Sequence, residues 1–264
     1  PWNPDEGIIE PGTFAGLDAV VHLAGAPIFA GRWNEILAKR WNDENKRAIR
    51  DSRTRGTALL AEALASLSSP PPALLSGSAV GFYGNRADAV LDESSTAGTG
   101  FMADVVVAWE DAAVMAVEAG VRTCFLRTGI VMSGSGGALK LQLPLFKAGL
   151  GGRLGSGEQY LAWIGITDAV DAIVHLLTSD VHGPVNLTGP TPVTNAEFTD
   201  ALGEVINRPT VIPIPRLGPK LLLGAELAEE LLFASQRVIP QVLLDDGFTF
   251  THPTVADALR AELA

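Results

Sequence analysis

Cysteine occurs once in the 264 residues, at Cys124, so no disulfide can form within the chain. That usage fits a reducing compartment, most simply the cytoplasm. Basic side chains are in short supply: 19 Lys and Arg stand against 30 Asp and Glu, a formal charge of −11. Such a surface repels nucleic acid and anionic membranes unless a local basic patch overrides it. No apolar run reaches the roughly 18 residues that span a bilayer, and nothing has the form of a signal peptide. Neither His22 nor His175 has a Cys, Asp or His partner at metal-ligand spacing, so no metal site is expected. The opening "PWNPDEGIIEPG" lacks an initiator methionine. It is read as the start of a piece cut from something longer.

What the chain does have is core-forming material: 47% of it is hydrophobic and 19% charged. That is ample for one large domain, or a domain with a lobe. "LDAVVHL" at 17–23 reads as a buried strand ending at Ala24-Gly25. From Trp33 to about Leu67 apolar residues recur at helical spacing, predicting one long helix or two with a break. Three prolines at 70–72 force a turn. "ALLSGSA" reads as the next strand and its exit loop, and residues 85–100 as a long polar loop. "DVVVAWEDAAVMAVEAG" predicts a helix closed by Gly120. "VRTCFLRTGIVM" reads as one further strand, in which Cys124 is a small core residue. "TDAVDAIVHLLTSD" reads as an amphipathic helix with Asp168 as its cap, and "GPVNLTG" as a short strand. Thr194 and Glu197 have the spacing of a capping box. Alternating strands and helices define an α/β chain with a doubly wound parallel sheet. Residues 1–190 form that domain and 191–264 a small mixed C-terminal lobe.

In such sheets ligands sit beyond the carboxyl ends of the strands. The loops there are Leu23-Ala24-Gly25, Ser76-Gly77-Ser78 and Arg127-Thr128-Gly129-Ile130. For any one of them a turn that needs small residues is explanation enough. Three together point to a cleft where a flat ligand lies against backbone. A basic segment at 32–55 holds Arg32, Lys39, Arg40, Lys46, Arg47, Arg50, Arg53 and Arg55. Charge runs are usually solvated helix faces. Arg53 and Arg55 are the candidates for attracting a phosphorylated ligand.

Taken in order, "DAVVHLAG", "SGSAVGFYG", "LRTGIVMSGSGGAL", "WIGITDAVDAIVHLL" and "GPVNLTGPTPVTNAEF" resemble the extended short-chain dehydrogenase/reductases. "RW" at 32–33, "SRTRGT" at 52–57, "GLGGRLGSGEQ" at 149–159 and "LLDDGFTFTHPTVADAL" near the end are similar to one branch, the predicted nucleoside-diphosphate-sugar epimerases. The tail from about 213 resembles that branch's unassigned C-terminal segment. The resemblance implies a Rossmann-like fold, NADP or NAD as cofactor, and hydride exchange on a nucleotide sugar or another polar small molecule. It places Ser78 on the reacting oxygen and Arg153 and Gln159 beside the substrate, with Arg53 at the position of a helix-borne Asn.

Two departures follow. The glycine fingerprint that binds pyrophosphate is absent, and "GSGG" at 134–137 follows too late a strand to replace it. The first βαβ units and the phosphate loop are therefore expected upstream of Pro1. The Tyr-x-x-x-Lys acid–base pair is also missing. Tyr83 is followed four residues on by Ala87 and Tyr160 by Ile164, and the matching helix positions are Met102 and Val106. Tyr83 reads equally as a substitute acid, with a pKa near about 10, or as a packed loop aromatic. Binding of NADP(H) or a nucleotide without turnover, as a sensor, stands beside the enzyme reading.

Overall fold

The structure, a computed structural model, describes residues 2–4, 6–10, 12–28 and 41–263. The "RW" pair at 32–33 and the basic residues at 32, 39 and 40 lie outside them, as does the start of the expected 33–67 helix.

A small hairpin, β1 (Trp2–Asn3) against β2 (Ile8–Ile9), precedes the main sheet. That sheet is wholly parallel, in the order β10-β6-β4-β3, from β3 (Ala19–His22), β4 (Ala73–Ala79), β6 (Arg122–Thr128) and β10 (Gly183–Leu187). Parallel strands are covered on both faces, and Ala73 to Ser78 of β4 are buried without interruption. Leu74 points into a cluster with Leu60, Ala61 and Leu64 of α1 (Asp43–Ala65) and Ala116 of α3 (Val114–Glu118). Leu75, one residue on, points the opposite way, to Ala172 and Leu176 of α5 (Ile166–Thr178). Helix α1 begins where the Asn42 side chain accepts the Asn45 amide, an N-cap.

Three elements differ from expectation. The 101–118 region is two helices, α2 (Phe101–Asp111) and α3, separated at Ala112–Ala113. The strand expected over 121–132 breaks at Gly129 into β6 and β7 (Ile130–Met132). A Cβ on Gly129 would stand 2.6 Å from the Ala162 carbonyl, so only glycine lets the two backbones cross there. The polar loop contains β5 (Val90–Leu91), which pairs in parallel with β12 (Arg237–Val238) from the tail.

A second core joins β7 and β9 (Trp163–Gly165) to α4 (Gly137–Lys147), α6 (Asn195–Val205) and α10 (Val255–Leu263). Strands β8 (Tyr160–Leu161) and β11 (Val193–Thr194) pair beside it, and Thr194 and Glu197 close the capping box at α6. The remaining tail runs through α7 (Leu217–Leu223), α8 (Ala225–Ala228), a π-turn at Glu229–Phe233 and α9 (Gln241–Asp245). Asp168 does not cap α5. Buried to 1% exposure, it accepts the amides of Thr251 and His252 at 2.7 and 3.1 Å and pins the tail instead.

Candidate functional site

The carboxyl ends of β3, β4 and β6 lie side by side, as the parallel register requires. Past β3, Leu23 and Gly25 are exposed and Ala24 is half-buried. Arg53 of α1 supports this loop from below: its Nη1 donates to the carbonyls of Ala26 and Ile49, both at 3.0 Å. Its guanidinium also lies 5.1 Å from the Trp109 ring centroid. Burial lowers its pKa from the ordinary arginine value. Arg55 faces solvent in an ion pair with Asp51, and Lys46 is paired with Glu226.

Ser76-Gly77-Ser78, expected as a loop, lies inside β4 and pairs with β6, and its small residues serve the protein's own packing. A Cβ on Gly77 would meet Trp109 at 2.8 Å and the His22 carbonyl at 3.2 Å. Trp109 Nε1 donates to Thr57 Oγ1 at 3.0 Å, and His22 Nε2 shares the same hydroxyl at 3.2 Å. Burial of His22 lowers its pKa, which favours the neutral imidazole. Ser76 is fully buried. Ser78 donates to Glu110 Oε1 of α2 at 2.6 Å.

Glu110 in turn receives Nε and Nη2 of Arg127 at 2.8 and 2.9 Å, a bidentate pair. Arg127 stacks on Phe82, 3.5 Å from the ring centroid, and its Nη1 donates to the Tyr83 hydroxyl at 3.1 Å. Tyr83 donates to Asn186 Oδ1 at 2.7 Å and has no solvent exposure. Its pKa is raised, burial outweighing the nearby guanidinium. Asn186, on β10, gives its own backbone amide to Glu93 Oε1 at 2.9 Å. Three residues singled out in the sequence, Ser78, Tyr83 and Arg127, thus belong to one buried chain of polar contacts. Its other members, Glu110, Asn186 and Glu93, were not anticipated. Glu110 was accessible to reasoning: it follows Met102 and Val106 at four-residue steps along α2, on the same face. Met102 and Val106 are themselves buried, and both lie within 4 Å of where a Cβ on Gly81 would stand.

Of the loop expected at 127–130 only Gly129 lies between strands: Thr128, the last residue of β6, bonds back to the Leu126 carbonyl, and the amides of Gly129 and Ile130 donate to Leu187 and Ala162. Arg153 is exposed in the 151–159 loop, apart from this chain of contacts. Gln159 is buried, and its amide donates to the carbonyls of Leu154 and Leu232.

A dinucleotide would need open backbone at the strand ends and a cradle for its phosphates. The first is present: the β3 exit loop is open, and among the described residues no strand pairs with the outer edge of β3. The second is not supplied by the glycine turn between β7 and α4. There the Gly134 amide donates to Glu262 Oε2 at 3.0 Å, putting a carboxylate where a phosphate would sit. No group of three or more potential metal ligands occurs among the described residues, and none of their helices is long and apolar enough to cross a membrane.

A parallel sheet wound with helices on both faces, with open loops at its carboxyl edge, is the Rossmann-like fold of NAD(P)-binding epimerases. UDP-glucose 4-epimerase of Thermus thermophilus, solved with NAD, matches with a TM-score of 0.68 at 17% identity, over 93% of this chain and 76% of that one. The human epimerase family protein SDR39U1 (isoform2), solved with NADPH, matches far better: TM-score 0.87 and 33% identity, over 94% of this chain and 82% of that one. In sequence, an epimerase family protein of Mycobacterium bovis is 44% identical over 259 residues, covering 98% of this chain and 82% of the relative. The chain belongs to this epimerase family. Residues 214–262 match the model of a domain of unknown function, DUF1731.

Proposed function

We propose that the chain is the substrate-side part of an NAD(P)-dependent, epimerase-like oxidoreductase acting on a nucleotide sugar or another polar small molecule. The observation that carries this reading is the open outer edge of β3 beside the exposed loop at 23–25. In a doubly wound sheet that position is where a nucleotide-binding half adjoins. The human relative solved with NADPH favours NADP(H) over NAD. When bound, the dinucleotide supplies hydride exchange at its nicotinamide.

The chain's own residues have narrower tasks. Leu23, Ala24 and Gly25 present backbone to the ligand, and Arg53 holds their loop rigid through the Ala26 carbonyl. Arg153, exposed, is free to approach an anionic substrate group. The glycine fingerprint that binds pyrophosphate is not among these 264 residues. Ser78 can donate to a reacting oxygen only by giving up its bond to Glu110, although its lone pairs stay able to accept.

That last requirement favours a second reading, binding without turnover. The serine hydroxyl is already engaged, and the acid–base positions carry buried Met102 and Val106. Calorimetric titration of NADPH and then NADH into the full-length protein tests the cofactor. Binding of either supports the proposal, and binding of neither overturns both readings. With binding established, hydride transfer that Ser78→Ala abolishes supports the enzyme, and tight binding without any transfer supports the sensor.

A further inference from the structure

Residues 119–157 and 205–225 contain no Asp or Glu, in a chain that has 30 of them. The fold brings parts of these two stretches together, just past the ends of α4 and α6. Arg208 Nε donates to the Lys147 carbonyl at 2.9 Å. Gly152 forms an antiparallel bridge with Val211, and the Ile214 amide donates to the Arg153 carbonyl at 2.8 Å. The backbones are so close that a Cβ on Gly152 would run into the Ile212 carbonyl. Segments 147–153 and 208–214 therefore lie side by side as one surface.

That surface is apolar at its centre. Val211 is 84% exposed, Leu150 59% and Ile212 56%. Single exposed apolar side chains are ordinary, but these three are brought together by the Gly152–Val211 bridge. Pro209 and Pro213 flank Val211-Ile212 and fix their own φ, so little backbone freedom is left to lose at an interface. The surroundings are cationic. Lys147, Arg153 and Arg208 are exposed, and none has a carboxylate partner among the described residues. Arg216 and Lys220, further along the chain, are both neutralised by Glu229. On the α6 side, Asp200 and Glu204 share a groove with Arg208 and Val211. Glu204 faces Arg260 at 3.6 Å, so the three cations remain in excess.

We propose that this face docks on an anionic lipid surface. Leu150, Val211 and Ile212 enter the boundary between headgroups and acyl chains, while Lys147, Arg153 and Arg208 pair with headgroup phosphates. Apolar side chains ringed by cations hold such a surface by burial and by attraction together. A side chain as exposed as Val211 stands out from its surroundings, and a fluid layer accepts it without a matching cavity. The net charge of −11 opposes the approach from a distance. At physiological ionic strength, however, charges beyond roughly 8–10 Å are screened, so the local balance decides the contact. The proposal does not depend on the cofactor reading, since no dinucleotide enters it.

Flotation of the protein with lipid vesicles tests it. One set of vesicles holds equal parts of phosphatidylcholine and phosphatidylglycerol, the other phosphatidylcholine alone. In 0.1 M NaCl, binding to the anionic set should be at least 10-fold tighter than to the neutral set, and 1 M NaCl should remove the difference. Val211→Asp and Lys147→Glu should each weaken binding to the anionic set at least 10-fold. Both side chains are exposed, so the variants fold, and unchanged urea midpoints verify it. No binding of the native chain to anionic vesicles, or binding that neither substitution weakens, would overturn the proposal. So would a dimer in sedimentation equilibrium that Val211→Asp dissolves, which would assign the face to a second copy of the chain.

Discussion

Ser78 and Glu110 are joined by a 2.6 Å hydrogen bond from hydroxyl to carboxylate, linking the end of β4 to the last turn of α2. The same carboxylate neutralises Arg127, whose side chain is only 5% exposed. Removing the acid leaves a buried guanidinium uncompensated, so Glu110→Ala should destabilise the fold by about 3–5 kcal/mol. Ser78→Ala removes one hydrogen bond to a charged group and should cost about 1.5–3 kcal/mol. Urea unfolding of both variants checks the order. Equal losses would mean that the ion pair contributes nothing beyond the serine.

Tyr83 bonds to Arg127 and Asn186 with no exposure to solvent, and its pKa is raised. Tyr83→Phe should lower stability by about 1–3 kcal/mol through the unpaired Asn186 oxygen. Dinucleotide affinity should be unchanged. If Tyr83 served as a proton donor, the variant would lose turnover far out of proportion to that stability change.

Glu93 holds the amides of Asn186 and Val242, while its Oε2 is buried with no partner among the described residues. Burial raises its pKa above the ordinary carboxylate value. A carboxyl with a higher pKa folded than unfolded contributes stability that is full below the unfolded value. That contribution fades as pH rises through the folded value. Glu93→Gln should therefore gain stability relative to the native chain as pH rises from about 4 to 7. A difference between the two that stays flat across that range would rule out the buried acid.

Cys124 is fully buried on β6, and burial pushes its thiol up to about 11. Aromatic disulfide reagents should label it only as fast as the chain unfolds, at neutral pH and at pH 9 alike. Labelling that accelerates with pH in the folded state would show an open path to the sulfur.

Much of the architecture was legible in the sequence because its elements are locally coded. An apolar run closed by glycine predicted β3, "ALLSGSA" predicted β4 though not its full length, and the Thr194–Glu197 spacing predicted the cap that α6 carries. The site was legible in part. Small residues at three strand ends marked the right edge of the sheet. The reason for Gly77 is Trp109, which lies 32 positions away and comes beside it only when α2 packs on the sheet.

The sequence by itself determined the α/β class, the place of the strand ends, the single thiol, and the loss of the Tyr-Lys pair and the glycine fingerprint. Each of these is a matter of which residue stands at which spacing. Only the tertiary structure decided what the polar residues do. It gave Ser78 to Glu110, buried Tyr83 between Arg127 and Asn186, moved Asp168 from its own helix to the tail, and set Glu230 on α2. Partners in such contacts are chosen by the packing of elements distant in sequence, and a buried polar group must take whichever partner that packing brings within reach.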